Sequence, residues 1–121
     1  LCLSWDDVNS LKKEKLVTIG AHTEHHYNLK QLETMNDVKN EVLSGMKRCK
    51  QQTDLKSNVF AYPFGYITEC GEREFNALSE LPFKLAVRSY GGTVRVKDLK
   101  NLYSLPREFL TEDYVKEYLK S

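Results

Sequence analysis

Short apolar runs alternate with amphipathic helical stretches along this chain, and that alternation constrains its fold more than any other feature. The predicted strands are short apolar runs that span residues 16–21, 59–62, 84–88 and 102–105, and the first of them is rich in β-branched residues. The predicted helices have helical apolar spacing or begin at a capping residue, and they span residues 4–15, about 36–52, about 75–81 and those after Thr111. Because strands joined through helices pair in parallel by right-handed crossovers, the sequence predicts an α/β fold with mainly parallel strands.

Two histidines follow the first predicted strand at the spacing of a metal-binding pair. Residues 16–19 are apolar and β-branched, Gly20 ends the strand, and His22 and His26 come directly afterwards. Two imidazoles at positions i and i+4 share one face of a helix or tight turn and converge on one ion. In α/β folds ligands collect at the carboxyl ends of the strands. The pattern indicates half of a metal site, and the alternative is a structural, hydrogen-bonding role for these histidines.

The second predicted strand also ends in residues suited to a binding site. It runs into Tyr62, Pro63, Phe64 and Gly65. Pro63 fixes its own φ and pushes Tyr62 toward an extended conformation, while Gly65 permits a positive φ or a close backbone approach. An aromatic ring at such a turn offers a stacking face for a sugar, and a tyrosine hydroxyl offers a hydrogen bond. The alternative is a core aromatic pair that closes an ordinary strand–loop junction.

The segments that carry these motifs are similar to those of one enzyme family. Residues 3–8, 16–29 and 60–65 stand in an order and at a spacing that resemble the polysaccharide deacetylases of carbohydrate esterase family 4. The resemblance implies a partial irregular (β/α) barrel, of which this chain is roughly the second half. Residues 1–121 are therefore expected to form one domain, the C-terminal part of a deacetylase catalytic domain.

The resemblance also implies an activity and its site residues. The implied enzyme is a metal-dependent hydrolase that removes N-acetyl groups from an acetamido sugar polymer, its polysaccharide partner. His22 and His26 match the histidines that bind a divalent metal, most often zinc, in this family. Tyr62, Pro63 and Phe64 match the segment that forms one wall of the substrate groove. Family members are often secreted or held in the cell envelope, but the sequence itself assigns no compartment.

The family's first motif, a Thr-Phe-Asp-Asp segment that supplies the catalytic base and a third metal ligand, has no clear counterpart. Asp6 and Asp7 follow Ser4 at the start of a predicted helix. A capping serine with an acid three residues later is typical of a helix start, where acidic groups also favour the positive end of the helix dipole. We therefore interpret Asp6 and Asp7 as helix-start residues. Since the residues from Leu1 onward also lack the features of a signal peptide, we expect the catalytic aspartate upstream of this chain.

Three further positions depart from the family pattern or leave two roles open. Ala61 stands where many members have an arginine, and no histidine follows His26 to act as the usual general acid. Arg107 lies in a segment similar to a Leu-Pro-Arg ending of some members, and it is either a substrate contact or a surface ion-pair partner. His25 either supplies a proton or is an exposed loop residue.

Charge and composition narrow the function classes. The chain has 121 residues, 40% hydrophobic and 29% charged, as in an ordinary globular domain. A net charge of +1 without a basic stripe argues against nucleic acid, and no run approaches the ~20 apolar residues of a membrane span. The three cysteines, Cys2, Cys49 and Cys70, lack metal-binding spacing and cannot all pair within one chain. Cys49 falls on the apolar stripe of the long helix and is expected in the core.

Three functional hypotheses follow from the sequence. The first is a metal-dependent polysaccharide N-deacetylase seen as its C-terminal portion. The second is a catalytically inactive relative that binds a glycan or another partner, and the third is an unrelated α/β domain with structural histidines. Two histidines without their carboxylates make an incomplete site, so we expect no useful catalysis from this chain alone. A half-barrel also leaves strand edges open, so we expect the missing segment or self-association to cover them.

Overall fold

Helices pack on a narrow parallel sheet in the computed structural model, which describes residues 2–121. Its α-helices are α1 (Trp5–Leu11), α2 (Met35–Thr53), α3 (Glu72–Ser79) and α4 (Glu112–Lys120). Strands β1 (Val59–Ala61) and β2 (Leu85–Val87) pair in parallel, with Val59 opposite Leu85. Short 3-10 helices span Leu29–Gln31, Val96–Lys100 and Leu102–Ser104. The predicted α/β fold with parallel strands is confirmed, and these described residues close no barrel.

The first predicted strand is wrong in its extent. Ala21 alone forms a parallel bridge, to Phe60 on the free side of β1, through backbone hydrogen bonds of 2.9 and 3.0 Å. Leu16 is completely exposed rather than buried. A β-branched run becomes a strand only where a neighbouring strand offers backbone partners, and none lies beside residues 16–19 among the residues described here. The bridge at Ala21 nevertheless places the following histidines at the carboxyl end of β1, as the sequence predicts.

The last predicted strand, residues 102–105, is also wrong in its extent. Leu105 makes one parallel bridge to Val87, and the residues before it form a 3-10 helix. The Asn101 side chain accepts the Tyr103 N–H at 3.0 Å, which favours a turn over an extended chain. The sheet therefore consists of two strands with one bridged residue on either side, all parallel.

Side-chain caps begin α1 and α4 as the sequence predicts, and the structure adds a third cap, at α2. Ser4 and Asp7 form a reciprocal capping box on α1, which confirms the helix-start interpretation of that aspartate. Thr34 and Asp37 cap α2 in the same way, and the Thr111 side chain caps α4. Helix α1 ends at Leu11, earlier than residue 15, and buries none of its side chains. None of the helices within residues 2–121 is long and apolar enough to cross a bilayer.

One core lies between α2, the sheet and α3. Val38 and Val42 of α2 are fully buried, and Met46 and Cys49 on the same stripe are partly buried, so the predicted apolar face of this helix is confirmed. Each fully buried side chain of this kind contributes about 1.5–3 kcal/mol relative to an exposed one. The apolar face of α2 thereby fixes the helix against the sheet, next to the loop that carries the histidines.

An aromatic cluster fixes the end of β1. The Phe60 ring lies 5.2 Å from that of Tyr62 and 5.5 Å from that of Phe83, and the Tyr62 ring lies 5.5 Å from that of Phe75. Edge-to-face and tilted contacts of this kind add about 0.5–1.5 kcal/mol each beyond their area burial. They hold the backbone of Ala61, between two of these rings, in a defined position.

Candidate metal centre

The histidine loop, residues 21–28, begins at the bridged residue Ala21 and runs past the carboxyl end of β1. His22 Nδ1 lies 2.7 Å from the carbonyl oxygen of Ala61. A carbonyl oxygen only accepts, so Nδ1 carries the proton and Nε2 keeps its lone pair. Metal-binding histidines are oriented in this way, with one ring nitrogen donating to a carbonyl or carboxylate and the other left for the ion. The backbone carbonyl of Ala61 thus orients the ring of the first histidine.

The loop brings the second histidine against the first. The rings of His22 and His26 lie 4.9 Å apart, edge to face. His26 has a left-handed backbone, with φ at 58°, and its N–H donates to Thr23 Oγ1 at 3.1 Å. Thr23 is itself left-handed, with φ at 70°. The pair therefore converges through a tight turn that two unusual backbone conformations create.

The local environment favours neutral imidazole at the first histidine. Partial desolvation lowers the pKa of His22 below the ordinary histidine value, against the opposing effect of the hydrogen bond to Ala61. The neighbouring His26 and the positive charge of Arg107 lower this pKa further. Only the neutral ring has a lone pair to offer, so these effects increase the fraction of His22 able to bind a metal ion near neutral pH.

The third histidine faces away from this pair. His25 Nδ1 lies 3.0 Å from Glu41 Oε2, and its backbone N–H donates to Glu41 Oε1 at 2.6 Å. Its ring stacks on that of Tyr27, with centroids 5.1 Å apart. His25 is exposed, as one sequence alternative expects, and it is also held in place by α2.

Two histidines make half of a metal site. Within residues 2–121, no group of three or more His, Cys, Asp or Glu side chains is placed to hold an ion. The donor set of His22 and His26 nonetheless fits zinc, which accepts imidazole nitrogens and in catalytic sites takes three protein ligands. A third ligand from residues outside this chain stays a prediction.

The aromatic turn after β1 divides into buried and exposed parts. Tyr62 is 1% exposed and Pro63 is buried, so their side chains are largely covered by the core, and the expected substrate contact through them stays a prediction. The Tyr62 hydroxyl instead donates to the carbonyl of Tyr103 at 2.7 Å. Phe64 is 51% exposed, has φ at 60°, and its ring lies 4.7 Å from that of His26. Of these three side chains, Phe64 alone is exposed, and its ring lies beside the second histidine.

The guanidinium of Arg107 is tied to the turn after β2. Its Nε donates to the Arg88 carbonyl at 3.2 Å and its Nη2 donates to Ser89 Oγ at 2.9 Å. The salt bridges found within residues 2–121 include none of Arg107, so that part of the chain does not support its ion-pair role. It lines a surface cavity of about 290 Å³ together with Ser89, Glu108, Phe109 and Leu110. Its role in substrate contact stays a prediction.

Two residues of α2, Glu41 and Gly45, contact the histidine loop and were not predicted from the sequence as site residues. Glu41 is buried at 8% exposure, although acidic residues are almost never buried without partners. Gly45 lies inside a long helix, where glycine costs about 1 kcal/mol relative to alanine. The helical glycine is a signal that the sequence offered. Nothing in the sequence signals the burial of Glu41, because this residue stands among other charged residues on the same helix.

Comparison with known proteins identifies the family. A family model described as polysaccharide deacetylase matches residues 3–84 of the chain. The chain belongs to the polysaccharide deacetylase family. The matched range includes His22, His26 and the turn after β1, whereas Arg107 lies beyond it. A search of curated proteins finds no match.

Solved deacetylase structures share the fold. The Streptococcus pyogenes deacetylase PplD in complex with acetate matches with a TM-score of 0.81 at 20% identity, over 98% of this chain and 49% of that one. IcaB from Ammonifex degensii matches with a TM-score of 0.73 at 19% identity, over 97% and 52%. BC0361, a polysaccharide deacetylase from Bacillus cereus, matches with a TM-score of 0.72 at 15% identity, over 88% of this chain and 32% of that one. The chain spans about half the length of the first two of these structures.

Proposed function

We propose that this chain supplies the two-histidine part of a divalent metal site, most favourably a zinc site, in a polysaccharide N-deacetylase. The observation that carries the proposal is the hydrogen bond from His22 Nδ1 to Ala61, which presents Nε2 to an ion beside the His26 ring. Two imidazole nitrogens suit zinc better than the oxygen-seeking ions magnesium and calcium. One carboxylate from outside the chain completes the ligand set in this proposal.

The chemistry assigned to the site is hydrolysis of an acetamido sugar to an amine and acetate. A bound divalent metal supplies the Lewis acidity that activates water at neutral pH and polarises the acetyl carbonyl. His22 and His26 hold that ion, and Phe64 presents an exposed ring beside it for a sugar face. Acetate bound in the PplD structure is the small product of such a reaction, which supports the assignment.

Arg107 is assigned to substrate recognition at the rim of this site. Its guanidinium uses Nε and Nη2 for protein contacts and keeps further N–H donors. Arg107 lines a surface cavity, and the exposed residue Phe109 lines it too. The proposed ligand is a polar or acidic group on the polysaccharide next to the acetamido sugar.

A zinc titration tests the metal site directly. Isothermal calorimetry of the chain should show zinc binding that disappears in both His22→Ala and His26→Ala. The matched control is His25→Asn, which removes an imidazole but keeps a donor for Glu41. Zinc binding that survives both alanine variants means that the histidines are structural, and the family fold is then present without its metal chemistry.

A glycan-binding relative without turnover is the second candidate. It is favoured by the lack, within residues 2–121, of a third metal-ligating side chain at the histidine pair. Acetate release from an N-acetylglucosamine oligomer separates the candidates. We expect none from this chain alone and turnover from a longer chain that restores an upstream Thr-Phe-Asp-Asp segment. Binding of the oligomer without acetate release by the longer chain supports the second candidate.

A further inference from the structure

One buried carboxylate ties the histidine loop to α2. Glu41 Oε1 accepts the backbone N–H of Glu24 at 3.2 Å and that of His25 at 2.6 Å. Glu41 Oε2 lies 3.0 Å from His25 Nδ1. Hydrogen bonds to an ionised carboxylate are roughly twice as strong as neutral ones. The three bonds all fall between His22 and His26, the two residues that the metal site requires.

A glycine one turn later lets the loop lie directly on the helix. A Cβ at Gly45 would lie 2.3 Å from both the carbonyl carbon and the carbonyl oxygen of Thr23, and 2.7 Å from the Glu24 nitrogen. These are backbone atoms, so they cannot swing aside as a flexible side chain does. Residues four apart share a helix face, so Gly45 and Glu41 act on the same stretch of loop. Any larger residue at position 45 has to push the loop outward.

The backbone between the two histidines needs such restraint. Thr23 and His26 both have positive φ, at 70° and 58°. For residues other than glycine this conformation is costly, and it persists only where surrounding contacts over-determine it. One contact is internal to the loop, from the His26 N–H to Thr23 Oγ1. The others come from α2, through Glu41 and the close approach at Gly45.

We propose that Glu41 and Gly45 are positioning residues that hold His22 and His26 in the geometry that binds the metal ion. Neither touches the ion or the substrate in this proposal, and both act through the loop backbone. The inference rests on the proposed function, because it concerns the same pair of histidines. It adds that the affinity of the site for metal depends on residues of α2 that carry no metal-binding chemistry of their own.

Zinc titration of α2 variants by calorimetry tests the inference, with each variant first shown to be folded by its thermal melt. Glu41→Ala and Gly45→Ala should each weaken zinc binding by about 10- to 100-fold, the loss typical when groups that orient metal ligands are removed. Glu41→Gln should bind nearly as tightly as the unmodified chain, because its side-chain oxygen still accepts the two backbone N–H groups. This rescue separates positioning from a general need for charge at residue 41.

Asn40→Ala is the matched control for the glycine variant. Asn40 is exposed on the same helix, and its replacement also raises helix propensity. We expect unchanged zinc affinity in Asn40→Ala. A spectroscopic check is the imidazole nitrogen chemical shifts of His22, which report the Nδ1–H tautomer and should move toward a tautomer mixture in Gly45→Ala but not in Asn40→Ala.

The outcomes distinguish this inference from the proposed function. If His22→Ala abolishes zinc binding while folded Glu41→Ala and Gly45→Ala bind as the unmodified chain does, the positioning role is overturned and the metal site stands. If His22→Ala and His26→Ala leave zinc binding unchanged, the proposed function itself fails, and the positioning role fails with it. Weakened binding in both α2 variants with rescue by Glu41→Gln supports the inference.

Discussion

Replacing Tyr62 by phenylalanine separates a core role from a substrate role at the turn after β1. The ring of Tyr62 packs against Phe60 and Phe75, and its hydroxyl donates to the carbonyl of Tyr103 at 2.7 Å. Tyr62→Phe keeps the ring and removes only this donor. Burial raises the pKa of the Tyr62 hydroxyl, with smaller contributions from Cys70 and from the negative charge of Glu74, so the group stays a protonated donor near neutral pH.

The expected effect is a loss of stability. A typical hydrogen bond contributes about 0.5–1.5 kcal/mol net, but a buried acceptor left without its donor costs about 1–3 kcal/mol. The Tyr62 side chain is 1% exposed, so water has little access to replace the lost donor at that end. We therefore expect the free energy of unfolding to fall by about 2 kcal/mol, which lowers Tm by roughly 8 °C for a chain of this size.

Urea denaturation and a sugar-binding titration together provide the measurement. Tyr66→Phe is the matched control, because Tyr66 is 50% exposed and its replacement should change stability by less than about 0.5 kcal/mol. Neither variant should alter the affinity for an N-acetylglucosamine oligomer. The reasoning is refuted if Tyr62→Phe unfolds at the same urea concentration as the unmodified chain but binds the oligomer more weakly, since the hydroxyl would then act on substrate.

Three further predictions concern other parts of the fold. Gly65→Ala should lower the free energy of unfolding, measured by urea denaturation, by more than the ~1–2 kcal/mol cost of a left-handed residue. The φ of Gly65 is +73°, and the new Cβ would in addition lie 2.6 Å from Ser89 Oγ. Arg73→Ala should cost about 1–3 kcal/mol in the same assay, because its guanidinium donates to three carbonyls ahead of α2. Burial raises the pKa of Cys70 to about 11, so at pH 8 iodoacetamide should modify the exposed Cys2 and spare Cys70. Mass spectrometry measures the two rates of modification, and equal rates would contradict this prediction.

The role of α2 links the core of this protein to its site. Val38 and Val42 bury one face of the helix in the core, and Glu41 and Gly45 on an adjacent face hold the histidine loop. A loop that projects from a sheet edge is mobile unless something outside it fixes its backbone. Packing of α2 therefore places the contacts that the histidine loop makes with this helix, and under the positioning role proposed above, core mutations on α2 should lower metal affinity as well as stability.

Local patterns predicted the elements that depend on neighbouring residues in the chain. The capping box of Ser4 and Asp7 and the apolar stripe of α2 are confirmed, because caps and helical periodicity are satisfied within a few residues. Strands need partners that are distant in sequence. Of the strand predicted at 16–21, only Ala21 forms a β-bridge, and of the strand predicted at 102–105, only Leu105 does so.

Within the candidate site, the sequence predicted which residue types come together, but it did not predict which of their side chains are exposed. The spacing of His22 and His26 after a strand indicated a converging pair, and the structure brings their rings together. Tyr62 and Phe64 looked equivalent at the aromatic turn, yet one is buried and the other open. In a straight extended segment, residues two apart share one face. Phe64 instead has φ at 60°, so the chain turns there and its ring leaves the buried side, which the sequence alone does not show.

The sequence by itself determined the residue types of this protein's site: two imidazoles at a strand end, an aromatic turn on the adjacent strand, and helices whose caps fix where they begin. Only the tertiary structure decided how these parts act together. The Ala61 carbonyl that orients His22, the carboxylate of Glu41 under the loop, and the space that Gly45 leaves for it come from segments remote in sequence. Such contacts follow from packing, because a backbone carbonyl or a missing side chain has no chemical signature until another segment lies against it.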